Sequence, residues 1–501
     1  MTFSRFAAAI VVSLASLAWS AEGLAQDAGA LQRPRNVILM IADGQGFNGW
    51  LATDYYVHGE AAAEPYMRPR PDGTRPHVGA VMTGSLQMFD GDGALTREAA
   101  EARSVRRMPY DPTTRWADFG SVSQATDSAA ASTVLHTGRR TTNTRLGLAW
   151  DGETRLTSVA AIARNQGMAT GAVTSVQFAH ATPAGAGVQT ASRHDYDVVA
   201  RQMLDGRLDV VMGAGHPLFD DDGRLVAADA VSTEAWSWAG GREYFENLVA
   251  DGRSPGGLAL IQSRDDFERL AEAGPSGSGR VEPLFGLAPV RQTLQFRRGD
   301  GAAFLDSTPS LSVMAQGALN RLAASPQGFF VMIEGGAVDW ANHANNAERM
   351  VQEHAAFNEA VNAVVEWVET HSNWDETLLI ITADHETGML WGPETWTDVD
   401  GDGAWSEGDT FHDYVLPSNN GRGETPGITY GSAHHTNELV PLFAMGVGAS
   451  MFEGMSLRDE GARRLWGEAY DWDGGYVDNT DVYLVMHAVI TGTADHDPAG
   501  R

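Results

Sequence analysis

Several short, unbroken apolar runs punctuate the chain: "NVILMIA" from Asn36, "ATGAVTS" from Ala169, "LDVVMG" from Leu208, "FFVMI" from Phe329, "TLLIIT" from Thr377 and "LVPLFAMG" from Leu439. Runs of this length without polar alternation are those of strands buried on both faces, as in a parallel sheet. Between them, apolar residues recur at intervals of three and four in "TSVAAIARNQG" and "ERMVQEHAAFNEAVNAVVEWVET", the period of amphipathic helices. Strand and helix alternation predicts an α/β fold, a three-layer sandwich with a mostly parallel central sheet.

Two regions break the rhythm, at about 50–120 and 390–432, both rich in Gly, Pro, Asp and Trp. They read as insertions on one catalytic domain spanning 26–501, because the helix and strand periods resume after each. The N-terminal segment has one early positive charge at Arg5, an apolar stretch from Phe6 to Trp19 and small residues ending at Ala25. This is the pattern of a signal peptide over 1–25, with Ser20 as a second cut point, and predicts a secreted or periplasmic protein. No later stretch is long and apolar enough to span a bilayer.

The absence of cysteine means that an exported chain of this length folds without disulfides. A formal charge of −30 argues against nucleic acid or an anionic membrane as partner. It also supplies carboxylates that, with fifteen histidines, can hold cations.

Three apolar runs end directly in such groups: Asp43 after the first, Glu334 with Asp339 and His343 after the fourth, and Asp384 with His385 after the fifth. In an open α/β sheet the carboxyl ends of parallel strands line the ligand crevice, so these residues should converge. Singly, each has a plainer reading. Asp43 suits a turn, Asp339 and His343 an ion pair on one helical face, and His435 a loop. Asp, Glu and His without Cys form the ligand set of hydrolytic zinc and magnesium sites. In "QATDSAAAST", Ser128 reads either as a helix cap or as a nucleophile. A metal ion can lower a hydroxyl pKa without a neighbouring base, which makes the two readings compatible.

The series "DGQG" at Asp43, "TDSAAAS" around Ser128, "HATPAG" at 180–185, "EGGAVDWANH" at 334–343, "ADHETG" at 383–388 and "HHTNELVPL" at 434–442 resembles the alkaline phosphatases, in family order. The resemblance implies phosphate monoester hydrolysis through a phosphorylated Ser128. It implies one zinc on Asp339, His343 and His435, the last chosen over His434 because it directly precedes Thr436. A second zinc would sit on Asp43, Asp384 and His385, and a magnesium-type site on Asp43, Thr182 and Glu334 beside His180. Arg193 falls at the place of the phosphate-clamping arginine, and a homodimer is implied as well. His180 and Trp340 stand where enteric-type members have Asp and Lys, so the chain looks like another bacterial branch. A neutral imidazole attracts a hard cation less than a carboxylate does.

The segment "DVDGDGAWSEGD" places Asp398, Asp400, Asp402, Ser406 and Asp409 at positions one, three, five, nine and twelve of a calcium loop, with Gly403 at six. Asp stands at position twelve, where Glu is usual, and flanking helices are not evident; an acidic Gly-rich turn is the other reading, and calcium is the favoured one. Trp391, Trp396 and Trp405 are expected to pack the insertion, and His354 and His371 to be ordinary helix residues. Two rival functions remain: a phosphodiesterase or nucleotide pyrophosphatase on the same two-zinc scaffold, and a non-catalytic cation-binding protein. A sulfatase is disfavoured because Ala, Ala, Ala and Ser follow Ser128, not a Cys-x-Pro-x-Arg context.

Overall fold

The computed structural model describes residues 35–493 except 71–72, 87–95, 106–124, 300–301, 404 and 407. The expected signal peptide, and parts of the 50–120 segment, lie outside the described residues.

Eleven strands of the described residues form one sheet. In chain order they are β1 Arg35–Ala42, β2 His77–Met82, β3 Ala169–Gln177, β4 Val210–Ala214, β5 Ala259–Ile261 and β6 Leu284–Leu287. Then come β7 Gly328–Gly335, β8 Thr377–Thr382, β9 Val440–Gly446, β10 Leu457–Arg458 and β11 Gly475–Asp478. Their order across the sheet is β10-β11-β2-β9-β8-β1-β7-β3-β4-β6-β5. From β8 to β5 every neighbouring pair is parallel. Each of the six apolar runs supplies a strand of this sheet, two of them beginning one or two residues before it, and Val37 through Ala42 of the central strand are fully buried.

Helices cover the sheet in two sets. The first is α1 Phe47–His58, α4 Leu311–Leu322 and α6 Ala347–His371; the second is α2 Ser128–Thr137, α3 Val159–Asn165 and α7 Asn479–Thr491. The α6 helix packs on α1 and α4, α7 packs on α2 and α3, and both α6 and α7 reach β1. A short helix, α5 Ala337–His343, leads from β7 into α6. His354 is buried within α6, where its Nδ1 meets the Thr53 hydroxyl at 2.9 Å, and His371 ends the same helix.

Two details differ from the sequence reading. The run at Leu439 forms β9, which is antiparallel to both β8 and β2. An apolar run carries no information about direction; here the chain leaves β8 at its carboxyl end and re-enters the sheet from that edge. The 50–120 segment holds most of α1 and all of β2, a sheet strand paired with β9 and β11, so at least this part is integral to the fold. Its inward run is only "GAVM", too short to stand out among Gly and Pro.

The 390–432 segment contains two-residue ladders, Leu390–Trp391 against Thr429–Tyr430 and Trp396–Thr397 against Thr410–Phe411. Trp391 is fully buried and stacks on Trp466, with ring centroids 5.8 Å apart. Trp396 meets Trp405 edge to face. The aromatic residues thus pack the segment, as large apolar rings do when a long loop lacks regular structure.

Candidate active site

Four adjacent strands, β8, β1, β7 and β3, deliver their carboxyl ends side by side. Register aligns Ile41 of β1 with Glu334 of β7 and Thr382 of β8, and Glu334 with Thr174 of β3. The residues that follow therefore converge: Asp43 after β1, Asp384 and His385 after β8, and His180 and Thr182 after β3. Helix α5 adds Asp339 and His343 one turn apart. His435 arrives on a two-residue ladder opposite Thr387. All nine expected ligand residues lie in this crevice.

Gly44 makes the crowding possible. Its φ of +70° favours glycine, and a Cβ there would lie 2.5 Å from Asp339 Oδ1. Its amide donates to Asp384 Oδ1 at 3.2 Å, and its carbonyl accepts from Asn342 Nδ2 at 3.0 Å.

Helix α2 begins at Ser128, but its cap is Asp127, whose carboxylate accepts from Ala130 N at 2.9 Å. Ser128 is thus the first helical residue rather than the cap. The small side chains of "SAAAS" let the whole helix be buried. Ser128 Oγ lies 3.3 Å from His385 Nε2, at a helix end whose free amides favour an anion.

The histidine protons follow from their partners. His343 Nδ1 donates to the Ala433 carbonyl at 2.6 Å and His435 Nδ1 to the Thr126 carbonyl at 2.7 Å. A carbonyl only accepts, so in the neutral rings each Nε2 carries a lone pair. The two Nε2 atoms lie 3.0 Å apart, and Asp339 oxygens lie 3.3 Å from His343 Nε2 and 3.7 Å from His435 Nε2. Thr387 Oγ1 donates to Asp339 Oδ1 at 2.6 Å, which leaves it to accept from His385 Nδ1 at 3.3 Å. His385 Nε2 is then also a lone pair, 3.2 Å from Asp384 Oδ2 and 3.6 Å from Asp43 Oδ1. Burial pushes His385 well below the usual histidine range and His435 below it too, which keeps both rings neutral.

The carboxylates complete the pattern. Asp43, Asp384 and Glu334 are 0–2% exposed, yet Asp43 Oδ1, Asp384 Oδ2 and Glu334 Oε1 have no hydrogen-bond partner. The chain contains no lysine, and among the described residues no arginine pairs with these three. Burial, reinforced by Asp384, Asp339 and Glu334, pushes Asp43 well above the ordinary carboxyl range. Burial likewise raises Asp384 to about 7, and Glu334 to about 7 against hydrogen bonds from Thr174 and Thr182. Orphaned oxygens and converging nitrogen lone pairs have the chemistry of metal ligands. Three overlapping sets stand close enough to share an ion: Asp339, His385 and His435; Asp43, Asp384 and His385; and Asp43, His180 and Glu334.

Arg193 stands beside these sets, its Nη1 3.2 Å from Asp127 Oδ2 and its Nη2 donating to His180 Nε2 at 3.2 Å. That contact puts the imidazole proton of neutral His180 on Nδ1, which is buried without a partner. Burial and Arg193 hold His180 well below the usual histidine range. Thr182 Oγ1 approaches Asp43 Oδ2 at 3.4 Å.

Sequence reasoning missed Asp127 as the residue that both caps α2 and holds Arg193, and it missed Thr387 and Thr174. Asp127 lay in plain view beside Ser128. The threonines carried no signal, since hydroxyls that orient carboxylates follow no spacing rule.

At the 398–409 loop, carboxylates of Asp398, Asp400 and Asp409 cluster, with Asp402 outside that trio. Gly403 N donates to Asp398 Oδ2 at 2.9 Å and Ser406 N to Asp409 Oδ2 at 2.7 Å. The loop joins two short strands rather than two helices.

Comparison with known proteins agrees with this geometry. The family model described as alkaline phosphatase matches residues 107–408, more than half of the chain. Alkaline phosphatase 4 of Bacillus subtilis is 30% identical over 363 residues, 71% of this chain and 62% of that protein. Alkaline phosphatase 3 of the same organism is 29% identical over 52% of this chain and 49% of its own length. The chain thus spans between about half and two thirds of these two relatives. Streptomycin-6-phosphate phosphatase of Streptomyces griseus is 28% identical over 70% of this chain and 73% of its own. The alkaline phosphatase of the Antarctic bacterium TAB5 shares the fold, with a TM-score of 0.57 at 21% identity, over 92% of this chain and all of that one. With motif order, strand-end convergence and sequence similarity in agreement, the chain belongs to the alkaline phosphatase family.

Proposed function

We propose that the protein is an exported, metal-dependent phosphomonoesterase that transfers phosphate to Ser128 and then to water. The observation that carries this reading is Ser128 itself. It is a buried hydroxyl at a helix N-terminus, 3.3 Å from a neutral His385 that shares a donor set with Asp43 and Asp384. Export rests on the N-terminal sequence pattern, and a homodimer on the family resemblance.

Zinc ions held by Asp43, Asp384 and His385, and by Asp339, His343 and His435, would supply a lowered hydroxyl pKa and neutralisation of phosphate charge. The rest is done by the chain. Amides at the start of α2 and the Arg193 guanidinium hold the phosphate oxygens, the latter with two parallel donors. Asp127 aims that guanidinium, and the carbonyls of Thr126 and Ala433 fix the ring orientations of His435 and His343. Ser128 Oγ attacks phosphorus as the bond to the leaving alcohol breaks; water then attacks the phosphoserine and returns the hydroxyl. Positioning and charge stabilisation are the main demands of such a transfer.

A magnesium ion at Asp43, Thr182 and Glu334 fits the orphaned Glu334 Oε1. With Nε2 accepting from Arg193, neutral His180 carries its proton on Nδ1, and an N–H suits a cation's water better than the cation. In the TAB5 protein, a histidine-to-glutamate mutant has Mg bound in its M3 site. Here His180→Asp should raise magnesium retention, read by metal analysis; unchanged retention would argue against a third site next to this ring. The 398–409 loop is read as a calcium site, tested by whether calcium raises the melting temperature of the protein but not of Asp398→Asn.

The test of the main reading is hydrolysis of a monoester and a diester with the same leaving group, on zinc-loaded protein and on Ser128→Ala. Monoester preference that collapses in the variant supports it. Diester preference, or turnover indifferent to Ser128, overturns it.

A further inference from the structure

A second group of ligand-type side chains lies at the other end of α1, apart from the crevice. Asp54 and His58 are four residues apart and so share one face of the helix. The helix stops at Gly59, whose φ of +78° lets the chain turn back, and Ala62 continues the turn with a φ of +45°. This reversal brings Glu64 to the same face.

One oxygen from each carboxylate and one ring nitrogen of His58 all lie within 4.8 Å of one another, and His58 Nε2 is 2.9 Å from Glu64 Oε1. Bond lengths of about 2.0–2.2 Å put neighbouring ligand atoms on a tetrahedral ion roughly 3.3 Å apart. The His58–Glu64 pair already lies within that spacing, and the other pairs exceed it by at most about 1.5 Å.

Asp54 is the deepest member of the group. It is fully buried, and neither of its carboxylate oxygens has a hydrogen-bond partner. The amides of Ala62 and Ala63 approach it and offset part of its burial without completing a hydrogen bond. Burial and the nearby Glu64 push its carboxyl well above the ordinary range. Arg68, whose charge acts on Asp54 from nearby, is engaged elsewhere, with Glu60 Oε1 at 2.5 Å and the Ala62 carbonyl at 3.1 Å. On the far side, Asn362 Nδ2 of α6 donates to Glu64 Oε2 at 2.9 Å, holding that carboxylate in place and leaving Oε1 on His58. A buried carboxylate without a partner is strongly unfavourable unless it is neutralised.

We propose that Asp54, His58 and Glu64 bind a divalent transition metal ion, zinc in the simplest case, that fastens the carboxyl end of α1 to the 59–64 turn. One imidazole and two carboxylates suit zinc better than calcium, which takes six to eight oxygen ligands. The partly exposed His58 gives the ion a path from solvent and leaves the fourth position to water. The site is separate from Ser128, so its role is to brace a helix whose amino end follows Asp43 and Gly44.

Metal content per chain, measured by plasma mass spectrometry on zinc-supplemented, exhaustively dialysed protein, tests this for the unaltered sequence, His58→Ala and Asp54→Asn. Each variant should hold one equivalent of zinc less, and the His58→Ala protein should keep the same phosphate ester turnover. Equal zinc content in all three overturns the proposal, as does a lost equivalent that proves to be calcium or magnesium. Should Asp54→Asn fail to fold, His58→Ala decides alone, because its ring is partly exposed. The readout is a stoichiometry difference, so it stands even if Ser128 proves to have no catalytic role.

Discussion

His343 and His435 aim their Nε2 atoms at each other across 3.0 Å, and in the neutral rings each of those atoms carries a lone pair. Two lone pairs at that distance, beside the Asp339 carboxylate, repel one another unless a cation lies among them. The pair comes from α5 and from the far end of a long excursion after β8. The arrangement is therefore built by the fold and not by local sequence.

The adjacent histidines 434 and 435 should behave differently. His434 is exposed, whereas His435 faces Asp339. His435→Ala should lower zinc retention and turnover by more than about 100-fold, beyond what losing a ligand's outer partner costs. His434→Ala should change neither, as read by metal analysis and monoester kinetics.

Asp127 has two tasks that substitutions can separate. It accepts from Ala130 N and Thr144 N, and it pairs with Arg193 at 3.2 Å. Asp127→Asn can keep its oxygen on the Ala130 amide, while its Nδ2 then faces Thr144 N and Arg193; it loses the charge and should raise KM about tenfold at a smaller cost in stability than removing the side chain. Asp127→Ala should raise KM similarly and also cost about 1 kcal/mol of stability through loss of the cap. Urea unfolding beside steady-state kinetics checks both.

Metal removal should expose a pH dependence. Asp384 and Glu334 move from ordinary values of 3.8 and 4.5 to about 7 in the folded, cation-free protein, chiefly through burial. Between those limits the folded state binds more protons than the unfolded chain. Their contribution to stability therefore falls as pH rises from about 4 to about 7, whereas His180, His385 and His435, held below their ordinary value of 6.5, contribute with the opposite sign below that value. Chelator-treated protein should therefore unfold at lower urea near pH 8 than near pH 6.5, an interval over which the carboxyls outweigh the histidines, and restored zinc should remove most of that difference. A midpoint that rises over this interval in the stripped protein would contradict the electrostatic account.

Much of this was legible in the sequence, for physical reasons. Parallel strands buried on both faces write themselves as unbroken apolar runs, and each run found its strand. The carboxyl-end rule is enough to bring Asp43, Glu334, Asp384 and His385 together from the sequence alone. Illegible were β2, whose short inward run is hidden among Gly and Pro, and the direction of β9, which depends on where the chain re-enters the sheet. The roles of Thr387 and Asp127 were equally hidden, because they depend on tautomers and on which carboxylate oxygen faces which donor. The Asp54, His58 and Glu64 group could not be read either: only the turn at Gly59 brings Glu64 back to the helix.

The central claim is that Ser128 carries the phosphate. Acid quenching during steady-state turnover of a monoester, followed by peptide mass spectrometry, tests it most directly. The account predicts phosphate on the peptide containing Ser128, absent in Ser128→Ala and absent without substrate. Rapid monoester turnover with no phosphate on that peptide at any quench time, and with Ser128→Ala equally active, would contradict it.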